Sequence, residues 1–224
     1  MLQYRHEWKH RLNFADKLML QQRLIAIMQP DPHAKNGKYF IRSLYFDTPE
    51  DTALREKLDG INRREKFRIR YYNFDPSLIH LEKKCKLNGL GTKESAILTA
   101  EQTHNIVSGH IDWMLADPQP LVQELYCKMV TQGLHPKTIV DYTREPYVFR
   151  PGNVRVTLDY NIRTGLQYTQ LLDPNYPTIP VPDNPILLEV KWDNFLPILI
   201  QNVVQMESRQ AAAFSKYAAC RMYD

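Results

Sequence analysis

The sequence predicts an α+β fold: an eight-stranded, mostly antiparallel β-barrel with flanking helices. About eight segments are rich in aromatic and β-branched residues, and most of them follow one another without an intervening helix. This order argues against a doubly wound parallel sheet, in which strands and helices alternate. In several segments charged residues recur two positions apart, so that they lie on one face of a strand. Closure of the sheet into a barrel would gather these charged faces inside it.

The composition is that of an ordinary globular protein. Hydrophobic residues make up 43% and charged residues 24% of the 224 positions, which excludes the disordered and membrane-embedded classes. A chain of this length can bury a substantial core, and we expect a single domain covering 1–224. The net charge of +4 is modest, so any strong positive potential must be local.

The sequence shows no targeting signal and no redox framework. No apolar run approaches the roughly 18 residues needed to cross a bilayer, and the first residues lack the apolar core of a secretion signal. We therefore expect a cytoplasmic protein with no membrane segment of its own, which would associate with a membrane only through a separate protein partner. The three cysteines are too few and too scattered for a disulfide framework or a zinc site.

The N-terminal part of the chain predicts two strands and two helices. Residues 4–13 alternate aromatic or histidine side chains with charged ones, a period of two that indicates a strand. Asp16 is expected to cap a helix that runs to about Met28 and ends before two prolines. Residues 38–46 are rich in β-favouring types and predict a second strand, and the polar segment 49–59 predicts a helix.

The remainder predicts a hairpin, further strands and four helices. The hairpin pairs 64–73 with 78–86 through a turn at Asp75–Ser77, and a bend at Asn88–Gly91 leads to a strand at 93–98. Proline-containing breaks separate the later elements. The expected helices are 101–111, 121–132, 196–206 and 211–222, and the expected strands are 137–149, 153–160 and 186–192.

The charged strand faces are the candidate functional site. If the faces converge, they place ten basic residues opposite Glu7, Glu82 and Glu189: Arg5, Lys9, Arg68, Arg70, Lys84, Lys93, Arg144, Arg155, Lys191 and Lys216. Burying such an excess of positive charge without a partner costs several kcal/mol per ion. A water-filled channel or a polyanionic ligand must therefore offset it.

The residue types point to phosphate and a divalent metal. Arginine forks match phosphate oxygens in bidentate fashion, and lysine supplies a compact point charge. Glutamates among them suit Mg²⁺ or Mn²⁺, because hard cations prefer oxygen ligands and commonly bridge protein carboxylates to substrate phosphates. Taken alone, each charged pair is more often a solvated strand face or a cross-strand ion pair.

A set of motifs in a fixed order extends along the whole chain. The motifs are Arg5-x-Glu7-x-Lys9, Ser43–Thr48, Asp59-Gly60, Lys66–Tyr72, Leu81–Lys84, Tyr142-x-Arg144, Val154–Asp159, Leu188–Lys191 and Phe214–Tyr217. In this order they resemble the polyphosphate polymerase (VTC) domain family, within the triphosphate tunnel metalloenzymes, also called CYTH-like proteins. One departure concerns the wider superfamily's Glu-x-Glu-x-Lys signature, whose first acid is Arg5 here.

The resemblance implies an eight-stranded tunnel that grows polyphosphate from ATP with Mn²⁺ or Mg²⁺ as cofactor. It implies catalytic roles for Arg68, Arg70, Lys84 and Glu189, and metal binding by Glu189 with Glu7 as a second candidate. Phosphate or nucleotide binding is implied for Lys9, Arg68, Arg70, Lys84, Lys93, Tyr142, Arg144, Arg155, Lys191, Ser215 and Lys216. The implied ligands are ATP and polyphosphate, without nucleic acid.

Two other functions remain open on the sequence alone. A tunnel triphosphatase would hydrolyse triphosphate or nucleotides, although Arg5 weakens the case for metal held by paired N-terminal glutamates. A non-catalytic domain would bind polyphosphate or inositol phosphates through the same tunnel. Nucleic-acid binding is a weaker alternative, and because both kinds of polyanion bind in a salt-dependent way, only competition between them separates the two.

Overall fold

The computed structural model describes residues 5–206 and 213–222. Ten strands in this part are β1 (His6–Leu12), β2 (Gln29–Pro30), β3 (Tyr39–Asp47), β4 (Arg64–Tyr72), β5 (Asp75–Leu87), β6 (Leu90–Leu98), β7 (His135–Phe149), β8 (Val154–Thr164), β9 (Ile179–Pro180) and β10 (Ile186–Trp192). Six α-helices are α1 (Phe14–Ile27), α2 (Thr52–Leu58), α3 (Ala100–Val107), α4 (Pro120–Gln132), α5 (Ile198–Val204) and α6 (Lys216–Cys220).

The eight longer strands form one curled antiparallel sheet, as the sequence predicts. Their order is β1-β10-β8-β7-β3-β4-β5-β6, with the two-residue strands β2 and β9 paired to β7 and β8. The first and last strands of this order meet through a bridge between Arg5 and Gly91, whose backbone groups exchange hydrogen bonds of 3.2 and 3.4 Å. The bridge brings the two edges of the sheet together and gives it a concave interior.

Two apolar clusters of the described residues lie on the outer, convex side of the sheet, and a third, with Tyr45, Tyr142 and Tyr217, reaches the cavity. One cluster packs α3 and α4 against β4 and β5 around Ile69, Leu81 and Leu125. A second cluster packs α1 and α5 against β8 and β10 around Leu24 and Val156, among others. Because alternate residues of each strand face opposite sides, burial of the apolar set outside leaves the charged set to line the interior.

Two local predictions were wrong. The cap of α1 is Asn13, whose side chain accepts from the Asp16 amide at 2.8 Å, while the Asp16 carboxylate accepts from the Asn13 amide at 3.0 Å. Asp16 thus completes a capping box from inside the helix. The hairpin turn lies at Asn73 and Phe74, both with positive φ, and β5 already begins at Asp75. Positive φ at both central residues is what a type I′ two-residue hairpin turn requires.

Several element boundaries also differ from the sequence expectation. The helix expected at 101–111 ends at Val107, and a 3-10 turn follows at Asp112–Ala116. The last helix is short, Lys216–Cys220, and the start of its predicted range falls at positions 211 and 212, outside the described residues. Among the described helices, none is long and apolar enough to cross a membrane.

Candidate functional site

The concave face of the sheet encloses a cavity of about 880 Å³. All eight longer strands contribute to its lining, together with Lys57 from α2 and residues 213–217 at the start of α6. The thirteen candidate site residues all lie in this lining: Glu7, Lys9, Arg68, Arg70, Lys84, Lys93, Tyr142, Arg144, Arg155, Glu189, Lys191, Ser215 and Lys216. The fold therefore brings residues from distant parts of the sequence to one place.

The lining is strongly basic. Among the described residues, three glutamates line the cavity, Glu7, Glu82 and Glu189, against fourteen lysines and arginines: Arg5, Lys9, Lys57, Arg64, Lys66, Arg68, Arg70, Lys84, Lys86, Lys93, Arg144, Arg155, Lys191 and Lys216. A concentration of one sign of charge inside walls of low dielectric focuses the electrostatic field. The cavity is therefore suited to a polyanion.

Strands β4 and β5 position the central arginines through Glu82. Arg68 donates from Nε to the Glu82 carboxylate at 2.7 Å and from Nη1 to the Tyr45 hydroxyl at 2.9 Å. Arg70 donates to the Ser43 hydroxyl at 3.0 Å and to the Tyr142 hydroxyl at 2.9 Å. These bonds fix both guanidinium groups before any ligand binds.

Glu82 acts as the counterion of this wall. It is 3% exposed and lies 3.1 Å from Lys93 Nζ and 3.8 Å from Arg70. Burial opposes ionisation of Glu82, but the charges of Arg68, Arg70 and Lys93 outweigh it and hold the pKa of this carboxyl well below its usual range. Glu82 is therefore ionised at neutral pH and is fully committed to its basic neighbours.

The opposite wall, from β7, β8 and β10, pairs its cations with Asp159 and Glu189. Asp159 is completely buried; it accepts two hydrogen bonds from Arg144, at 2.6 and 2.7 Å, and lies 2.6 Å from Lys216 Nζ. The positive charges of Arg144 and Lys216 overcome burial and lower the pKa of Asp159 to about 2. Tyr142 lies among these cations, with Lys216 Nζ 4.8 Å from its ring centre.

Lys191 joins the two candidate metal-binding glutamates. Its Nζ lies 2.5 Å from Glu189 and 3.5 Å from Glu7, and Glu7 also lies 3.0 Å from Lys9 Nζ. Burial opposes ionisation of Glu189, but Lys191 and Lys9 outweigh it and hold its pKa well below the usual range. The two carboxylates are neighbours, because both reach one nitrogen.

This donor set matches one mode of metal binding and not another. Within residues 5–206 and 213–222 there is no group of three or more His, Cys, Asp or Glu side chains that could hold an ion by themselves. Mg²⁺ commonly binds through one or two carboxylates while water and substrate phosphates supply the remaining oxygens. Glu189 and Glu7 fit that second mode.

Helix α6 brings Ser215 and Lys216 to the cavity. Ser215 caps the helix by accepting from the Ala218 amide at 3.3 Å. The Tyr217 hydroxyl donates to the buried Asp47 carboxylate at 2.5 Å and accepts from Arg221 at 2.9 Å. Asp47 also accepts from two backbone amides at the start of α2, so this network fastens α6 and α2 together beside the cavity.

Five basic lining residues have no ion-pair partner in the described part of the chain. We call Lys57, Arg64, Lys66, Lys84 and Lys86 the basic ladder. Of these, the sequence interpretation assigned a role only to Lys84.

The surroundings of the ladder lower the pKa of two of its lysines. Burial and the neighbouring charges of Lys57 and Arg64 lower the pKa of Lys66 to about 8. Lys191, Arg68 and burial hold the pKa of Lys84 well below its usual range. Extending the two-residue alternation of Arg68 and Lys84 along their strands would have found three of the others, Arg64, Lys66 and Lys86.

Comparison with known proteins agrees with this architecture. A family model described as the VTC domain matches residues 4–223. The chain belongs to the VTC domain family. The family membership predicted from the ordered motifs is thereby confirmed. No curated protein sequence matches the chain.

Solved structures show the same fold for this VTC domain chain. A Hippeastrum protein that carries a provisional adenylyl cyclase assignment and has a dominant triphosphatase activity aligns over 97% of this chain and 94% of its own, with a TM-score of 0.54 and 14% identity. A Bacillus halodurans protein provisionally assigned as an adenylate cyclase covers 91% and 89%, with a TM-score of 0.54 and 12% identity. The PH1012 protein from Pyrococcus horikoshii covers 95% and 96%, with a TM-score of 0.51 and 12% identity. At such identities the likeness concerns the fold alone.

Proposed function

We propose that this VTC domain protein is an ATP-dependent polyphosphate polymerase, acting as a single tunnel domain. It would transfer the γ-phosphate of ATP to the end of a growing polyphosphate chain. The observation that carries the proposal is the enclosed cavity with fourteen cationic and three acidic lining side chains. A product that is itself a polyanion accounts for that excess better than a compact substrate does.

The chemistry needs positioning and charge stabilisation more than a side-chain nucleophile. In phosphoryl transfer the attacking and leaving oxygens lie roughly in line, and catalysis rests on orientation and on neutralising the equatorial oxygens. Arg68 and Arg70, already fixed by Glu82, Ser43 and Tyr142, would clamp the transferred phosphoryl group, and Lys84 would approach it from the same wall. The attacking oxygen of a polyphosphate end is ionised at neutral pH, so no general base is required.

The remaining site residues would hold the rest of the ligand. Glu189 and Glu7 would hold Mn²⁺ or Mg²⁺, which supplies Lewis-acid charge to the phosphate oxygens when bound. The other phosphate contacts would come from Lys9, Lys93, Tyr142, Arg144, Arg155, Lys191, Ser215 and Lys216. The Tyr142 hydroxyl accepts from Arg70, which leaves its proton free to donate to a phosphate oxygen.

The acidic residues favour transfer to phosphate over hydrolysis by a tunnel triphosphatase. Hydrolysis requires activation of water, commonly by a carboxylate or a metal hydroxide. Glu82 is committed to Arg68 and Lys93. Arg5 occupies the position of the superfamily's first N-terminal acid and pairs with Asp193 at 2.8 Å. The N-terminal strand therefore offers one carboxylate, Glu7, in place of the superfamily's two, and Glu7 lies against Lys9 and Lys191.

A product assay tests the proposal. Purified protein incubated with ATP and Mn²⁺ is expected to release ADP and form long polyphosphate, resolved by size on a gel. Arg70→Ala is expected to lower the rate by on the order of 10²–10³, the usual effect of losing a donor that stabilises transition-state charge. Arg23→Ala, an exposed arginine on α1, is the matched control and should retain the wild-type rate.

Two outcomes of this assay would contradict the polymerase. Orthophosphate without polymer would identify a triphosphatase. No turnover, with tight binding of polyphosphate or inositol phosphates, would identify a non-catalytic binding domain. Glu189→Gln separates these cases further, because an enzyme loses turnover while a pure binder keeps or gains affinity when a negative charge disappears.

The partners and location follow from the same proposal. ATP and polyphosphate are the proposed ligands, and a double-stranded DNA competitor should not displace bound polyphosphate. We propose a cytoplasmic location, with any passage of product across a membrane supplied by a separate membrane protein. Pull-down from membrane and soluble fractions, each with and without detergent, measures that association.

A further inference from the structure

The basic ladder places like charges directly opposite each other. Strands β4 and β5 pair Arg64 with Lys86 and Lys66 with Lys84, so each pair projects from the same face at one level of the sheet. Like charges in directly opposite positions destabilise a sheet. Two such pairs in succession, about 7 Å apart along the strands, are a costly arrangement for an empty protein.

The ladder lacks the carboxylates that neutralise the rest of the cavity. Elsewhere in the cavity wall, the lining residues Glu189 and Glu82 and the buried Asp159 lie within ion-pair distance of their basic neighbours. In the described residues no Asp or Glu oxygen lies within 4.0 Å of a ladder nitrogen. Arg64 donates to the Ile61 carbonyl, which is a neutral acceptor, and Lys66 Nζ lies 5.0 Å from the Tyr217 ring centre.

The ladder runs from the centre of the cavity to its rim. Lys84 lies at the centre, where Arg68 and Lys191 are its principal charged neighbours. Arg64 and Lys86 lie beside the loop at Asn62 and the hairpin tip at Asn88, which are joined by a 2.8 Å hydrogen bond. Lys57 extends the set onto α2, since its main charged neighbours are Arg64, Lys9 and Lys86. All five side chains are only partly buried, so a ligand can reach them.

We propose that the basic ladder is a binding track for the polyphosphate chain beyond its reacting end. This rests on the proposed polymerase function and deepens it. The carboxylate-paired cations, together with Lys84 at the inner end of the ladder, would hold the reacting phosphates, and each further phosphate of the polymer would place a negative charge beside one of the other ladder cations. A short ligand such as tripolyphosphate does not extend to the rim and leaves Lys57, Arg64 and Lys86 unoccupied.

Binding of two probes to a rim variant tests the track. The rim variant combines Lys57→Gln, Arg64→Gln and Lys86→Gln, and the probes are long-chain polyphosphate and tripolyphosphate. The matched control combines Lys35→Gln, Arg23→Gln and Lys38→Gln, which removes the same charges from exposed positions. Titration calorimetry from about 50 to 200 mM salt gives the affinity and its salt slope.

The rim variant is expected to lose affinity for the long chain only. Loss of three phosphate contacts should weaken long-chain binding by about tenfold or more and flatten the salt slope by roughly two to three. Affinity for tripolyphosphate should fall by less than about threefold, since only the long-range field changes. The rim variant should also produce shorter polymer from ATP, while the control resembles the wild type in every measurement.

Two results would overturn the track. One is an equal loss of affinity for both probes, which would assign the rim residues to a general field effect. The other is an unchanged long-chain affinity in a folded rim variant. Folding is checked by thermal unfolding without ligand, where the midpoint should not fall below that of the wild type, because like charges have been removed.

Failure of the track and failure of the polymerase give different results. If the wild-type protein makes no polymer but the rim variant still loses long-chain affinity selectively, the polymerase proposal fails and the track stands. If polymer forms normally and the rim variant binds it as tightly as the wild type, the track fails and the polymerase stands.

Discussion

The two sides of the cavity treat positive charge in opposite ways. On the wall from β7, β8 and β10, cations lie against carboxylates: Asp159 holds Arg144 and Lys216, and Glu189 holds Lys191. In the basic ladder, the described residues provide no such carboxylate. In the first region each of these cations has a carboxylate partner in the absence of ligand. The second carries positive charge that only solvent or a ligand can balance.

In the paired wall the fold itself keeps the cations in position, whereas in the ladder a bound ligand is needed to balance their charge. A buried cation held by a carboxylate keeps its position when the cavity is empty, so the paired wall is preorganised for binding. An unpaired cation raises the free energy of the empty protein. When a polyanion binds, the same cation lowers the free energy of the complex. Removing a charge should therefore destabilise the paired wall and stabilise the ladder.

Asp159→Asn should have the largest effect. It keeps the shape of the side chain but removes the carboxylate that Lys216 contacts and leaves the buried Arg144 with Glu189 alone, 3.7 Å away, which costs about 3–5 kcal/mol in the free energy of unfolding. Because the pKa of Asp159 is lowered to about 2, this contribution is fully present above the unfolded value near 4 and is lost as the pH falls through about 2. Urea unfolding at pH 7 measures it.

An exposed ion pair provides the control for Asp159. Asp183 lies 3.2 Å from Arg11, and their side chains are 73% and 50% exposed. Asp183→Asn should change the free energy of unfolding by less than about 0.5 kcal/mol, as solvent screens such pairs. A loss below about 1 kcal/mol in Asp159→Asn would show that the paired wall does not depend on its carboxylates.

The sequence predicts the paired wall better than the ladder for a physical reason. The paired cations with an acid two positions away, such as Lys9 beside Glu7 and Lys191 beside Glu189, stand out as motifs. Arg64, Lys66 and Lys86 continue the same alternation without an acid, a pattern that a solvated strand end also shows. What distinguishes them is the register of β4 against β5, which strand periodicity does not specify.

The fold was predictable where periodicity is strong and less so where single residues decide. The eight longer strands follow from alternation over many positions, and burial of their apolar faces confirms it. The turn at Asn73 and Phe74 was missed because phenylalanine rarely takes a positive φ, and the following Asp-Pro-Ser is the stronger turn signal. Asp159 was part of a motif, but its role depends on Arg144 and Lys216, which only the folded chain places beside it.

Lys66→Met should have the next largest effect, with the opposite sign at neutral pH. The pKa of Lys66 is lowered from 10.5 to about 8 by burial and by the charges of Lys57 and Arg64, against the attraction of Tyr45 and Asp47. Below about pH 8 Lys66 is protonated in both the folded and the unfolded state, and the folded state bears the free-energy cost of burying its charge. Between about 8 and 10.5 the unfolded state binds more protons, so wild-type stability rises with pH relative to the variant.

Urea unfolding over this pH range measures the difference between wild type and Lys66→Met. The variant should be more stable below pH 8 by on the order of 2 kcal/mol, discounted for partial exposure, and this advantage should shrink toward pH 10.5. Lys35→Met, at an exposed position, should show a flat difference. A variant that is less stable than the wild type at pH 7 would mean that Lys66 has a compensating partner in the empty protein.

Tyr217→Phe should have the smallest effect and bears on the boundary between the two regions. The Tyr217 ring stacks on Tyr45 at 5.1 Å and lies beside Lys66, while its hydroxyl bonds Asp47 and Arg221. Phenylalanine keeps the ring and loses the hydroxyl, which should lower the free energy of unfolding by about 1 kcal/mol. Long-chain polyphosphate affinity should be unchanged, because the ring beside Lys66 remains. Tyr217→Leu should lose stability and affinity together, and equal affinities in the two variants would show that the ring does not position Lys66.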